Sequence, residues 1–137
     1  MTEAQGRELN EQALIRKWTK PVYDSGWTAL PAPILDLPAL GLRPLTFAVL
    51  VQIVSYWWVP SKRPFPSRAT LAKRTGVSLR SIQRALDDLE DAGLIQRNRR
   101  QREDGGYAST EYDLSGLVQK LGALAANRGK IGTEDDM

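Results

Sequence analysis

Arg80 and Arg84, four residues apart with Ser81 and Gln83 between them, are the side chains in this 137-residue chain best suited to grip another molecule. A guanidinium presents a rigid fork of N–H donors that fits phosphate oxygens or the O6 and N7 acceptors of guanine, and a glutamine amide fits adenine N6 and N7 in the same two-pronged way. On a helix the two arginines share a face one turn apart. That like-charge pair costs a few tenths of a kcal/mol in water, roughly what an i,i+4 ion pair would gain, so it makes better sense facing an anion. The bland alternative is a surface ion pair. It suits Arg84, with Asp87 and Asp88 three and four residues on, better than Arg80, which has no acid at either spacing.

A second cationic group follows at Arg97, Arg99, Arg100 and Arg102, just ahead of Gly105-Gly106. Side chains alternate along a strand, so the four cannot share one face, and some must reach past the sheet edge. Such arginines suit a phosphate backbone or a narrow minor groove, although a charged hairpin edge also prevents unwanted strand pairing. Ser67 and Thr70 start a helix and can offer hydroxyl and backbone N–H groups to a phosphate, and Ser78 starts the next. Lys62, Arg63, Arg68, Lys73 and Arg74 form a second tier of cations. The segment from Ser61 to Arg102 holds eleven basic and four acidic residues, net +7, which leaves −4 for the other 95 of a chain whose total is +3. This concentration is the footprint expected of a phosphate-binding surface.

The elements that would carry these groups can be read from caps and periodicity. Ser67 caps a helix over Arg68 to Thr75 that Gly76 stops, and Gly76-Val77-Ser78 is a tight turn. Ser78 caps a second helix, Leu79 to Ala92, with Ile82, Ala85, Leu86 and Leu89 as its buried face and Gly93 as its stop. Arg80 and Arg84 then lie opposite that face. The acids Asp87, Asp88, Glu90 and Asp91 fill the C-terminal half, so the N-terminal half is the one that approaches an anion. Leu94 to Arg97 reads as a strand, Asp104-Gly105-Gly106 as a turn and Ala108 to Leu114 as the returning strand. Upstream, Phe47, Leu50, Val51, Val54 and Trp57 form the stripe of a core helix over Thr46 to Trp58, ended by Pro60. Leu9, Ala13, Leu14 and Trp18 suggest a short amphipathic helix ending before Pro21, and five prolines from Pro21 to Pro44 predict an extended or turn-like stretch. Ser115 caps a last helix with Leu117, Val118, Leu121 and Leu124 apolar, and a frayed tail begins at Asn127. The predicted organisation is an N-terminal arm over 1–44, a folded domain over 45–126 and a tail over 127–137.

Composition, with 42% hydrophobic and 26% charged residues, is that of an ordinary globular chain. Cysteine and histidine are absent, which excludes disulfides, thiolate zinc sites and Ser-His or Cys-His nucleophile systems. Asp87-Asp88 and Asp135-Asp136 lack further oxygen ligands at regular spacing, and no phosphate loop or dinucleotide fingerprint occurs, so no metal, cofactor or enzymatic activity is expected. The N-terminus has no apolar signal region and no apolar run reaches 18 residues, so a cytoplasmic protein without a membrane partner is expected. Trp18, Trp27, Trp57 and Trp58 lie outside the basic segment and are read as core or interface packing rather than as stacking platforms for bases.

Helix, short helix, glycine turn, helix and hairpin, in that order, describe a mainly α winged helix-turn-helix with a small β-hairpin wing. The run Ser67-Arg-Ala-Thr-Leu-Ala-Lys-Arg-Thr-Gly-Val-Ser-Leu-Arg-Ser-Ile-Gln-Arg-Ala-Leu-Asp-Asp-Leu-Glu-Asp-Ala-Gly-Leu-Ile95 resembles the core of bacterial winged-helix regulators, and the resemblance covers about 55 residues, Pro60 to Leu117. Tyr56-Trp57-Trp58 and Tyr112-Asp-Leu-Ser-Gly-Leu117 further resemble small helix-turn-helix proteins of phages, plasmids and integrative elements. Unlike metabolite-sensing regulators, the chain has no long C-terminal effector domain, so no small-molecule ligand is expected. The resemblance implies a sequence-specific double-stranded DNA-binding protein, a transcription regulator that inserts its second motif helix into the major groove. A replication or partition factor at an origin or centromere, or a winged-helix scaffold for protein binding, are the alternatives. One helix and one wing read only a few base pairs, and the surplus apolar surface at both ends points to a homodimer.

Overall fold

A computed structural model describes residues 10–100 and 109–131. Its elements are α1 (Glu11–Trp18), α2 (Lys20–Asp24), a 3-10 helix (Ala32–Asp36), α3 (Pro44–Ser55), α4 (Arg68–Thr75), α5 (Leu79–Asp91), β1 (Gln96–Arg100), β2 (Ser109–Asp113) and α6 (Ser115–Ile131). The two strands form an antiparallel hairpin in which Gln96 faces Asp113, Arg97 faces Tyr112 and Arg100 faces Ser109. The fold is a winged helix-turn-helix, mostly helical with a single two-stranded wing. Among the described residues, no helix is long and apolar enough to cross a membrane.

The motif forms as its caps dictate. The Ser67 hydroxyl accepts from the Thr70 N–H at 3.0 Å, and Ser78 does the same for Ser81 at 3.1 Å. Gly76 closes α4 at φ +74°, and Gly93 follows α5 at φ +73°, a region that a side chain disfavours. Ile82, Ala85, Leu86 and Leu89 are all buried, as their spacing predicts, and pack with Val49, Leu50 and Ile53 of α3 and Leu71 of α4.

Several expectations need correction. The amphipathic helix does end before Pro21, at Trp18, but the stretch that follows is not free of helix: Pro21 sits in the first turn of α2, where its missing N–H has no helical partner to lose. The proline-rich stretch is not extended throughout, because Pro33 lies inside the 3-10 helix and Pro44 opens α3. That 3-10 helix and the turn after it put Ile34 and Leu37 into the main core beside Leu117 and Leu121 of α6, so the packed unit begins ahead of residue 45. In α3 the buried positions are Thr46, Val49, Leu50 and Ile53, while Phe47, Val54 and Trp57 are only partly buried. The helix is rotated from the predicted stripe, since almost every residue from Leu45 to Val54 is apolar and periodicity selects no face. Thr46 can be buried because its Oγ1 donates to Asp88 Oδ2 at 3.0 Å.

The strands also shift. Leu94 and Ile95 are buried ahead of β1, and the arginine-rich stretch itself forms the ladder. The Asp104-Gly105-Gly106 turn lies outside the described residues. Ser115 is the first residue of α6 rather than its cap, its N–H donating to Asp113 Oδ1 at 2.9 Å, and the helix runs on to Ile131, past the predicted start of the tail. The N-terminus of α6 docks by close backbone approach. Leu117 N–H donates to Leu94 O at 3.0 Å, and a Cβ on Gly116 would lie 2.0 Å from Gly93 O. Only glycine fits there.

Candidate nucleic-acid interface

Arg80 and Arg84 are both exposed on the outer face of α5, one turn apart. Neither makes a hydrogen bond or ion pair with any described residue. The ion pair that Asp87 or Asp88 could have offered Arg84 does not form, because both acids are engaged elsewhere. Asp88 accepts from Arg43, at the N-cap of α3, and from Thr46, and the Arg43 hydrogen bond holds its carboxyl below the usual carboxylate range. Asp87 accepts from Gln83 Nε2 at 3.0 Å and from Arg97 Nη2 at 2.8 Å. Asp87 and Asp88 therefore have their charge answered locally, and two guanidiniums are left projecting.

Gln83 is half-buried and already bonded on both ends of its amide. Besides donating to Asp87, it accepts from Arg68 Nη1 at 2.8 Å. Reaching a base edge would require Gln83 to exchange one of these partners. Ser81 and Thr70 differ in this respect. The Ser78 hydroxyl donates to Ser81 Oγ at 3.1 Å and the Ser67 hydroxyl to Thr70 Oγ1 at 3.0 Å, so the caps are spent locally while the Ser81 and Thr70 O–H groups can donate outward.

The wing arginines divide into roles. Arg97 is only 23% exposed and is bound by Asp87 and Glu90, so its guanidinium joins β1 to α5 rather than projecting. These partners outweigh partial burial and hold it firmly protonated, and in return Arg97 pulls the Glu90 carboxyl below its usual range. Arg99 is exposed and has no hydrogen-bonding or ionic partner among the described residues. Arg100 is exposed on the opposite face of the strand, its guanidinium 4.0 Å from the centre of the Phe65 ring. Arg102 lies outside the described residues. The expectation that the wing arginines cannot share one face holds for the three described.

Of the second tier, Arg63 is held by Glu111 at 3.0 Å and Asp113 at 3.2 Å, and Arg74 donates to Gln52 at 2.7 Å. Lys62 and Lys73 are exposed. The residues missed from sequence are the partners: Asp87 and Glu90 as a seat for Arg97, and Arg68 as the link from α4 to Gln83. The i,i+3 spacing of Asp87 and Glu90 on the flank of α5 nearest the wing is the signal that could have found them.

Comparison with known proteins bears on the same stretch. Residues 40–95 match the family of the helix-turn-helix domain, which takes in α3, α4 and α5. No curated protein matches the chain. Among solved structures, the crystal structure of transcriptional regulator PA3341 is similar at 22% identity and a TM-score of 0.44, over 90% of this chain and 82% of that one.

Proposed function

We propose that the protein binds double-stranded DNA sequence-specifically as a transcription regulator, placing the N-terminal half of α5 in the major groove and the wing against the flanking backbone or minor groove. The observation that carries this reading is the pair Arg80 and Arg84, exposed one turn apart and unpaired on a helix whose acids Asp87 and Asp88 are bound by Arg97 and Arg43. Two guanidiniums without a hydrogen-bonded partner among the described residues, on the outer face of the second motif helix, suit phosphate and guanine, and the helix-turn-helix family match over the same residues supports that use.

In this reading Arg80 and Arg84 contact base edges or phosphates, and the Ser81 and Thr70 hydroxyls donate to phosphate. Arg99, Arg100 and Arg102 hold the backbone, while Arg97 and Gln83 position the helix and wing. The active form is a homodimer, with Trp18, Val22 and Trp27, all more than 40% exposed, as apolar surface for a partner copy.

Selection of bound duplexes from a random library tests the reading. A palindromic motif with half-sites one helical turn apart is expected of a dimeric regulator. Tandem direct repeats would favour an origin or centromere binder, and no enrichment would overturn sequence-specific binding.

A further inference from the structure

Beside the motif helices lies an aromatic surface that the duplex-binding reading leaves unused. Trp58 is 79% exposed and Phe65 49% exposed, although large apolar rings gain most from burial. Trp58 lies against Tyr56, ring centres 6.0 Å apart. With Phe65 these rings line an open cleft of about 450 Å³ whose far wall is Ser67 and Thr70, at the start of α4. Phe65 also lines a second cleft of about 500 Å³, whose other walls include Lys62, Arg63 and Arg100. One ring thus separates an aromatic cleft from a cationic one.

The charge around these clefts narrows what can fill them. Arg100 lies over Phe65 at 4.0 Å and Arg74 over Tyr56 at 5.9 Å, so the rings already draw cations to their faces. The acid in the cationic cleft, Glu111, is bound by Arg63 at 3.0 Å. A fitting occupant carries a flat ring for Trp58 and Phe65, and an anionic group for Lys62 and Arg100 in the adjoining cleft. A nucleotide has both. A base in a duplex offers only its edges, so the occupant must be unpaired.

We propose that the Trp58–Phe65 ledge is a binding site for an unpaired nucleotide of a single strand, its base stacked on Trp58 and its phosphate held by Lys62 and Arg100. Such stacking tolerates any base, because every base has a π-face. The site lies on the connector between α3 and α4; it shares Arg100 with the wing but uses neither Arg80 nor Arg84, so it does not depend on α5 reading a duplex.

The test is fluorescence anisotropy of a labelled single strand of about a dozen thymidines, within the span such proteins cover, titrated with the full chain and two variants. Trp58→Leu keeps an apolar side chain but removes the plane, and Trp58→Phe keeps a smaller plane. At such an exposed position both should fold. Expected is binding that weakens about tenfold in Trp58→Leu and largely recovers in Trp58→Phe, with duplex affinity within about twofold of the parent for both. Equal binding by parent and Trp58→Leu, or no recovery in Trp58→Phe, would overturn the site. So would conversion of a dimer to a monomer by Trp58→Leu, which would assign the ledge to a second copy of the chain. Arg80→Ala in the same assay should weaken duplex binding but leave strand binding unchanged, so the two readings stand or fall separately.

Discussion

Glu90 on α5 and Arg97 on β1 are joined twice: the Arg97 guanidinium donates to Oε1 at 2.5 Å and the Arg97 backbone N–H donates to Oε2 at 3.1 Å. Both carboxylate oxygens are used, and Asp87 takes a further hydrogen bond from the same guanidinium nitrogen. Through Asp87 and Gln83 the chain of contacts reaches Arg68 at the start of α4. The angle of the wing to the motif helices is therefore set by charge-assisted hydrogen bonds across their flank.

Arg97→Ala should separate positioning from contact. It leaves Asp87 and Glu90 without their cation and should cost about 1–2 kcal/mol of folding stability. Duplex affinity should fall with it, because the wing loses its fixed angle, but the slope of log affinity against log salt should stay near that of the parent. A slope lowered by about 1 would instead make Arg97 a phosphate ligand.

Acid should undo the same contacts. Arg97 lowers the Glu90 carboxyl below its ordinary 4.5, and Arg43 and Thr46 lower Asp88 below its ordinary 3.8. A group with a depressed folded value contributes stability that is complete above its ordinary value and lost as pH falls through the folded one. Urea midpoints should therefore be flat above about pH 5 and drop below it, with a shallower drop in Glu90→Gln. Parallel curves for parent and variant would show that Glu90 contributes nothing to the acid response.

Gly116→Ala should be among the most damaging single-methyl changes. The added Cβ would meet the Gly93 carbonyl at 2.0 Å, backbone against backbone, where no side chain can swing aside. A loss of about 3 kcal/mol is expected, read as a lowered thermal midpoint, and Gly122→Ala on the same helix, which meets nothing within 4 Å, should be neutral or better. Equal midpoints for the two would contradict the docking of α6 against Gly93.

Helix and wing should fail differently. Arg80→Ala should cost about 1–3 kcal/mol of duplex binding and relax preference at one base pair per half-site, as loss of a base-edge contact does. Arg99→Ala should weaken all sequences alike and lower the salt slope by about 1. Competition with sequence variants of a selected site distinguishes these patterns, and an unchanged preference in Arg80→Ala would remove that residue from base readout.

How far the sequence could be read depended on whether a signal was local. Ser67, Gly76, Ser78 and Gly93 act within a turn of themselves, so α4, α5 and the turn between them stand where their caps place them. The buried face of α5 was legible because polar residues flank it, whereas the uniformly apolar α3 hid its face until Asp88 was seen to hold Thr46. Outward placement of Arg80 and Arg84 followed from helical period alone. The roles of Arg97 and Gln83 did not, since their partners lie on other elements or are shared across three, and composition made every wing arginine look alike. Trp58, read with the other tryptophans as core or interface packing, is 79% exposed, so the core half of that reading does not hold for it: lying just past the end of α3 at Ser55, it falls outside the helical period that the stripe relied on.

The most direct measurement of the central claim is the affinity of the full chain for a duplex across salt, beside an Arg80→Ala, Arg84→Ala double variant. About six phosphate contacts from the exposed cations predict a slope near −5, and the double variant should bind far more weakly with a slope reduced by up to about 2. Binding that is flat between about 50 and 200 mM salt, or equal in parent and double variant with both folded, would contradict the assignment of α5 to DNA.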